Sequence, residues 1–201
     1  MNELKRFELI LKQDVSESII VEEKGGKINV DCSDFRGVID LDKILLDNFD
    51  DNKFLTNSTF VLGNETEIIA EYQKININFG SDCLIYVNTE ESGEEQTEQT
   101  EVRLTGKDNN VVKTGKNSIV NLNNDNEIYS NDNCEIIVNN DNVIIIISEA
   151  GKDYVDGKIN IVAGLNSRII LPTGLNSKTE KNIIVHKNSF IYPKGYNIMC
   201  K

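Results

Sequence analysis

Few residues in this chain are of types that do chemistry, and their spacing suits it poorly. His186 is the only histidine among 201 residues, and it follows the apolar run Ile183-Ile184-Val185. A lone imidazole brings one metal ligand and has no second histidine to work with, so no catalytic role is assigned to it. Asp153, Asp156 and Arg168 are close enough in sequence to become neighbours across a sheet face. Sugar cleavage on such a face would need carboxylates at a fixed separation. Residues 149–157, which hold both aspartates, read instead as an insertion between strands. Asp47-Asn48-Phe49-Asp50-Asp51-Asn52 is rich in oxygen ligands but lacks the central glycine and closing glutamate of an EF-hand loop. The later Asn-Asp-Asn turns lack the paired glycines of calcium-binding nonapeptide repeats and read as solvated corners. There is no serine elbow and no phosphate-cradling glycine loop. The expectation is a chain with no catalytic, cofactor-binding or metal-binding residue, and not an enzyme.

Cys32, Cys83, Cys134 and Cys200 contain no CxxC pair, so free buried thiols in a reducing compartment are expected. The intervals Cys32–Cys83 and Cys83–Cys134 are both 51 residues, either two turns of a repeat or a coincidence.

With no chemistry to position, the elements themselves carry the argument. Hydrophobic residues make up 39% of the chain, enough for a packed core, with no Trp and only two Pro. Asn is in excess: 27 residues, twelve of them between Asn109 and Asn142. Asn enters left-handed backbone geometry and bonds to its own turn, so a clustered excess predicts many similar tight corners. AT-rich codons account for part of the excess but not for its placement. The formal net charge of −12 argues against a nucleic-acid surface, which needs clustered Lys and Arg. Six glutamates, Glu90, Glu91, Glu94, Glu95, Glu98 and Glu101, share one stretch without a basic residue, and 89–101 reads as a solvated loop. The first residues, Met1 to Glu8, contain no apolar export core, and no window approaches the roughly 18 apolar residues of a membrane span. The expectation is a chain neither exported nor membrane-spanning.

From Gly106 a short unit recurs: Gly106-Lys-Asp-Asn-Asn-Val-Val, Gly115-Lys-Asn-Ser-Ile-Val, Asn124-Asp-Asn-Glu-Ile-Tyr, Asn131-Asp-Asn-Cys-Glu-Ile-Ile, Asn140-Asp-Asn-Val-Ile-Ile. Taking Val111, Ile119, Ile128, Ile136 and Ile144 as the first inward residues gives spacings of 8, 9, 8 and 8. Each unit is a short strand of β-branched residues followed by a Gly or Asn turn. One strand cannot bury its face, but stacked strands bury a continuous core and satisfy the backbone by parallel ladders. Three units sum to about 25 residues, one coil of a three-sided solenoid. Looser copies extend the array over about 55–201. An antiparallel sandwich is the competing arrangement, disfavoured because the turn chemistry itself repeats. The predicted fold class is all-β, a parallel β-helix (β-solenoid), with a small β-rich N-terminal cap or attachment region over 1–54. Within that region Phe7, Leu9 and Leu11 suggest an incomplete strand. Ile19–Val21 and Ile28–Val30 about Lys24-Gly-Gly-Lys suggest a hairpin, and Asp42–Asp47 suggests either a helical turn or an edge strand. In Val143–Ile147 both faces of a strand are apolar, so a cap segment or a neighbouring subunit is expected to cover one.

The run from Gly106 to Ser148 resembles the β-helical shafts of bacteriophage fibre, tail-spike and capsid-decoration proteins. That resemblance implies a homotrimer in the virion, assembled in the host cytoplasm, anchored through its N-terminal region to a capsid or tail protein, its outer part exposed or bound to host surface glycan. The chain is short for a host-cleaving spike and shows no catalytic groove, which favours a structural role. The alternatives are a carbohydrate-binding or carbohydrate-cleaving β-helix and a polymer-forming bacterial scaffold. A flat Thr ladder for binding ice is absent.

Overall fold

The computed structural model describes residues 1–15, 18–49, 58–70, 75–87, 102–115, 117–131, 134–147, 158–172, 179–186, 188–193 and 199–200. The chain opens with helix α1 (Glu3–Asp14), strands β1 (Ile20–Lys24), β2 (Lys27–Cys32) and β3 (Gly37–Asp40), and helix α2 (Leu41–Asn48). The described elements that follow are all strands: β4 (Ser58–Leu62), β5 (Thr66–Ala70), β6 (Ile75–Phe79), β7 (Leu84–Val87), β8 (Val102–Gly106), β9 (Val111–Thr114), β10 (Ser118–Leu122) and β11 (Glu127–Ser130). The last are β12 (Cys134–Val138), β13 (Val143–Ile146), β14 (Ile159–Ala163), β15 (Arg168–Ile170), β16 (Lys181–Val185), β17 (Phe190–Tyr192) and β18 (Met199–Cys200).

Strands alternate between two sheets. The first runs β1-β2-β4-β6-β8-β10-β12-β14-β16-β18, the second β3-β5-β7-β9-β11-β13-β15-β17. Among the described strands only the β1–β2 pair is antiparallel. Each later strand pairs in parallel with the next but one, as β10 does with β8 and β12. Between β8 and β13 equivalent residues are 16 apart, as in the bonds Asn110–Asn126 and Asn126–Asn142. The interior follows from alternation along each strand, since every second side chain faces the other sheet. Leu104, Val112, Val120, Ile128, Ile136 and Ile144, one every eight residues, alternate between the sheets and are fully buried.

Two expectations are corrected. The array does not close after three strands and about 25 residues; two strands and 16 residues return it to the same sheet. The eight-residue beat is present, but an Asn corner turns the chain alike whether two or three corners complete a circuit. The inward phase also moves by one in two strands. Val112 and Val120 are buried, while Val111 and Ile119 are half-exposed on the outer faces. Ile128, Ile136 and Ile144 point inward as expected.

The N-terminal region holds a further correction. Residues 3–14 are helical, not a strand: Phe7 and Leu11, one helical turn apart, are fully buried, and Leu9 is 48% exposed. Asn2 caps the helix, accepting the Lys5 N–H at 3.0 Å. The Phe7 ring meets Phe49 edge-on at 6.2 Å, and the Arg6 guanidinium lies 5.1 Å above Phe49. Of the two alternatives for Asp42–Asp47, the helix forms. Asp40 caps it by accepting from the Lys43 N–H at 2.9 Å. The hairpin turns at Gly25 (φ 61°) and Gly26 (φ 74°), a pair of left-handed residues of the kind two-residue hairpins require. The parallel ladders include this region, since β2 pairs with β4 and β3 with β5.

One inward glycine sets a packing limit. Gly106 pairs with Phe79 on the neighbouring strand, and a Cβ at Gly106 would come 2.1 Å from the Phe79 ring. Replacing Gly106 by Ala is expected to cost about 1–3 kcal/mol by overpacking, read as a shift in the urea midpoint. A midpoint equal to wild type would show that the Phe79 ring has room to move.

Candidate interaction surface

Two kinds of connection join the sheets. Those from the first sheet to the second are short, as in Asn123–Asn126 and Asn139–Asn142. Those from the second to the first vary, and all the length added to the basic repeat beyond β4 falls there. The short corners are built alike. Their third residue adopts positive φ at Glu65 (56°), Asp82 (60°), Asn109 (59°), Asp125 (58°), Asp141 (61°) and Asn166 (57°). Asn and Asp tolerate that geometry better than other non-glycine residues, which explains their concentration here.

The fourth corner residue points inward and forms a ladder. The Asn110 N–H donates to Asn126 Oδ1 at 2.9 Å, and the Asn126 N–H to Asn142 Oδ1 at 2.9 Å. The amides add Asn110 Nδ2 to Asn126 Oδ1 and Asn126 Nδ2 to Asn142 Oδ1, each at 3.0 Å. Cys83 N–H continues it one way, donating to Asn110 Oδ1, and Ser167 Oγ the other, accepting from the Asn142 N–H. A second ladder runs the opposite way through Asp108, Asn124 and Asn140, whose side-chain oxygens accept the N–H of Asn124, Asn140 and Leu165. These oxygens are committed to the fold, and the corners act as staples.

The residues singled out for chemistry are scattered. Asp153, Asp156 and the acidic run from Glu90 to Glu101 lie outside the described residues. Arg168 is exposed on the outer face of the second sheet. His186 opens the corner between β16 and β17, its N–H donating to Ala163 O and its carbonyl accepting from Ser189 N–H. Asn48 Nδ2 donates to Ile44 O at 2.9 Å, inside its own helix. Among the described residues no three His, Cys, Asp or Glu side chains group as metal ligands. Cys32, Cys83 and Cys134 are buried and in no disulfide. They occupy a strand end, a corner and a strand start, so their equal spacing does not mark equivalent places in the repeat.

Burial, with Asp31 alongside, pushes the Cys32 thiol up from 9.0 to about 12. Below pH 9.0 the thiol is protonated whether the chain is folded or not. Above it the unfolded thiol ionises and the folded one does not, so stability is lost progressively between pH 9 and 12. Cys32→Ala should flatten that decline in unfolding free energy measured against pH. An unchanged slope would assign the decline to other groups.

What remains is surface. One outer row of the first sheet is largely polar, holding Asn29, Thr59, Asn76, Arg103, Ile119, Glu135, Asn160 and Asn182, and the other mixes Asp31, Asn78, Thr105 and Asn121 with Val61, Ile137, Val162 and Ile184. The outer face of the second sheet is different. One row reads Val38, Glu67, Leu84, Val111, Glu127, Val143, Arg168, Phe190 and the other Asp40, Ile69, Tyr86, Lys113, Tyr129, Ile145, Ile170, Tyr192. Lys113 Nζ sits between two rings, 5.2 Å from Tyr86 and 5.5 Å from Tyr129. Phe190 is 72% and Tyr192 66% exposed. Val143 and Ile145 are half-buried and Ile147 exposed. Sequence reasoning anticipated that strand's two apolar faces but missed the row structure, which follows only from knowing that alternate strands share a sheet. No helix among the described residues is long and apolar enough to cross a membrane. Comparisons with protein-family models, with curated proteins and with solved structures find no match.

Proposed function

We propose that the two sheets are the walls of one parallel β-helix, a rung being two strands and two corners, and that the chain works by contact, not catalysis. In this reading it is a virion structural protein, a short fibre or a capsid or tail decoration. The observation that carries it is the contrast between the N-terminal region and the strands that follow it. The N-terminal end has a helix buried into the core and an antiparallel hairpin, with Leu9, Ile20 and Val38 exposed. The parallel rungs then continue to the short strands β17 and β18. A fixed end bearing apolar docking residues and a stiff, laddered shaft suit attachment at one end and display along the rest. The test is sedimentation of particles from cells carrying the virus or prophage that encodes the chain. It should pellet with particles, and Leu9→Lys with Ile20→Lys should release it while leaving it folded. A chain that stays in the supernatant while particles pellet would refute the role.

A second reading rests on Tyr86, Tyr129 and Tyr192 sharing one outer row. Rings in one outer row, Tyr192 exposed and Tyr86 and Tyr129 half-buried, suit stacking on sugar rings, so a glycan-binding β-helix is the alternative. Saturable binding on a glycan array, lost in Tyr192→Ala, would favour it.

A further inference from the structure

We propose that the outer face of the second sheet is a self-complementary surface that pairs two copies of this chain about a twofold axis lying along β13. The inference goes beyond the structural role above and needs nothing from it. An isologous contact requires that one patch match itself after a half-turn. Turning a copy over about a line along β13 keeps each outer row opposite itself and reverses the order of strands. Then β13 faces β13, β11 faces the partner's β15, and β9 faces the partner's β17.

The residues fit that operation. Glu127 on β11 meets the partner's Arg168 on β15, and Arg168 meets the partner's Glu127, giving two ion pairs from one charge of each sign. Val143 meets Val143, and Ile145 meets Ile145, at the axis. Val111 meets the partner's Phe190, and Tyr129 the partner's Ile170. Lys113 meets the partner's Tyr192, a further ring for a cation already held against two.

Other placements fail. Moving the axis half a strand spacing in either direction sets Arg168 or Glu127 against apolar residues, Val111 and Val143 in one case, Val143 and Phe190 in the other. Centring it on β11 or β15 stacks Glu127 on Glu127 or Arg168 on Arg168. A half-turn about the stacking direction brings one row against the other and leaves Arg168 on Ile170 with no carboxylate, while Glu127 meets only the Tyr129 hydroxyl, a partner it already has within its own chain. Within one chain Glu127 and Arg168 stand two strands apart, roughly 10 Å at ordinary strand spacing, and no ion pair joins them. Arg168 has no side-chain partner among the described residues. The patch spans five strands, about 24 Å by 13 Å. That is smaller than the roughly 800 Å² per partner of stable complexes, so pairing is weak and depends on concentration.

Sedimentation equilibrium of the full-length chain tests this. Wild type should show a monomer–dimer equilibrium. Glu127→Arg alone and Arg168→Glu alone should each weaken it at least tenfold, and the double swap should return it to within about threefold. Far-UV spectra establish that each variant is folded. Ile145→Cys, on the axis, should form a reducible covalent dimer under mild oxidation, and Ile137→Cys, on the first sheet, should not. A wild-type monomer at millimolar concentration, a trimer indifferent to both charges, or a double swap no better than the single variants would overturn the proposal.

Discussion

Val120→Asp unfolds the chain, and Ile119→Asp, one residue away, leaves it folded. Val120 is fully buried between the two sheets, while Ile119 lies half-exposed on the outside of β10. A carboxylate at 120 would sit among Leu104, Ile136 and their neighbours across the core, where the buried described residues include no Lys or Arg. Such a group must be protonated or drag water inward, at a cost of about 4 kcal/mol or more, a large part of the stability of a domain this size. At 119 the carboxylate stays in water beside Arg103, the row neighbour on β8, and the change should stay within about 1 kcal/mol. Chemical denaturation of the two variants gives the comparison. Equal losses, or a larger loss at 119, would mean that the inward phase of β10 is wrong.

Asn126→Ala should cost about 2–4 kcal/mol, far more than an asparagine in a turn ordinarily carries. Its Oδ1 is the acceptor for two buried donors, the N–H and Nδ2 of Asn110. Its own amide donates to Asn142 Oδ1 and Asn124 O. Truncation leaves the Asn110 donors without their acceptor, and each buried unpaired group costs about 1–3 kcal/mol. Asn123, three residues earlier, is exposed, and the bond it accepts from Asn139 Nδ2 is a long 3.3 Å. Asn123→Ala should change stability by less than about 0.5 kcal/mol. Thermal unfolding that ranked the two together would show that the ladder adds no more than a solvated turn.

The contrast between these asparagines marks what the sequence can tell. The density of Asn between 109 and 142 announced repeated corners, and the eight-residue beat announced their spacing. Neither distinguishes a ladder asparagine from a solvated one, because that depends on which corner residue turns inward. The sixteen-residue step was hidden for a related reason: each corner bonds to the equivalent corner 16 residues on, and which corner is equivalent depends on how alternate strands are shared between the two sheets. The phase of β9 and β10 was hidden because Val111-Val112 and Ile119-Val120 offer two apolar residues side by side. Helix α1 was legible and missed, since Asn2 before Glu3 and the four-residue step from Phe7 to Leu11 are helix signals. The outer face of the second sheet could not be read in advance. Its rows assemble residues such as Tyr129 and Tyr192 from strands far apart in sequence, and they align only once the alternation of strands between the two sheets is known.

That rung is the central claim, and thiol cross-linking measures it directly. In a Cys200→Ser background the remaining native cysteines, all buried, react slowly. Cysteines placed at Ile119 and Glu135, directly opposed on β10 and β12, should be joined by a short bifunctional thiol reagent in the folded monomer. Cysteines at Ile119 and Val143, a step near the 25 residues of a three-strand rung, stand on opposite outer faces and should not be joined. Efficient linking of the first pair and none of the second is the predicted result. Linking of the second pair in preference to the first would contradict the two-sheet, sixteen-residue rung.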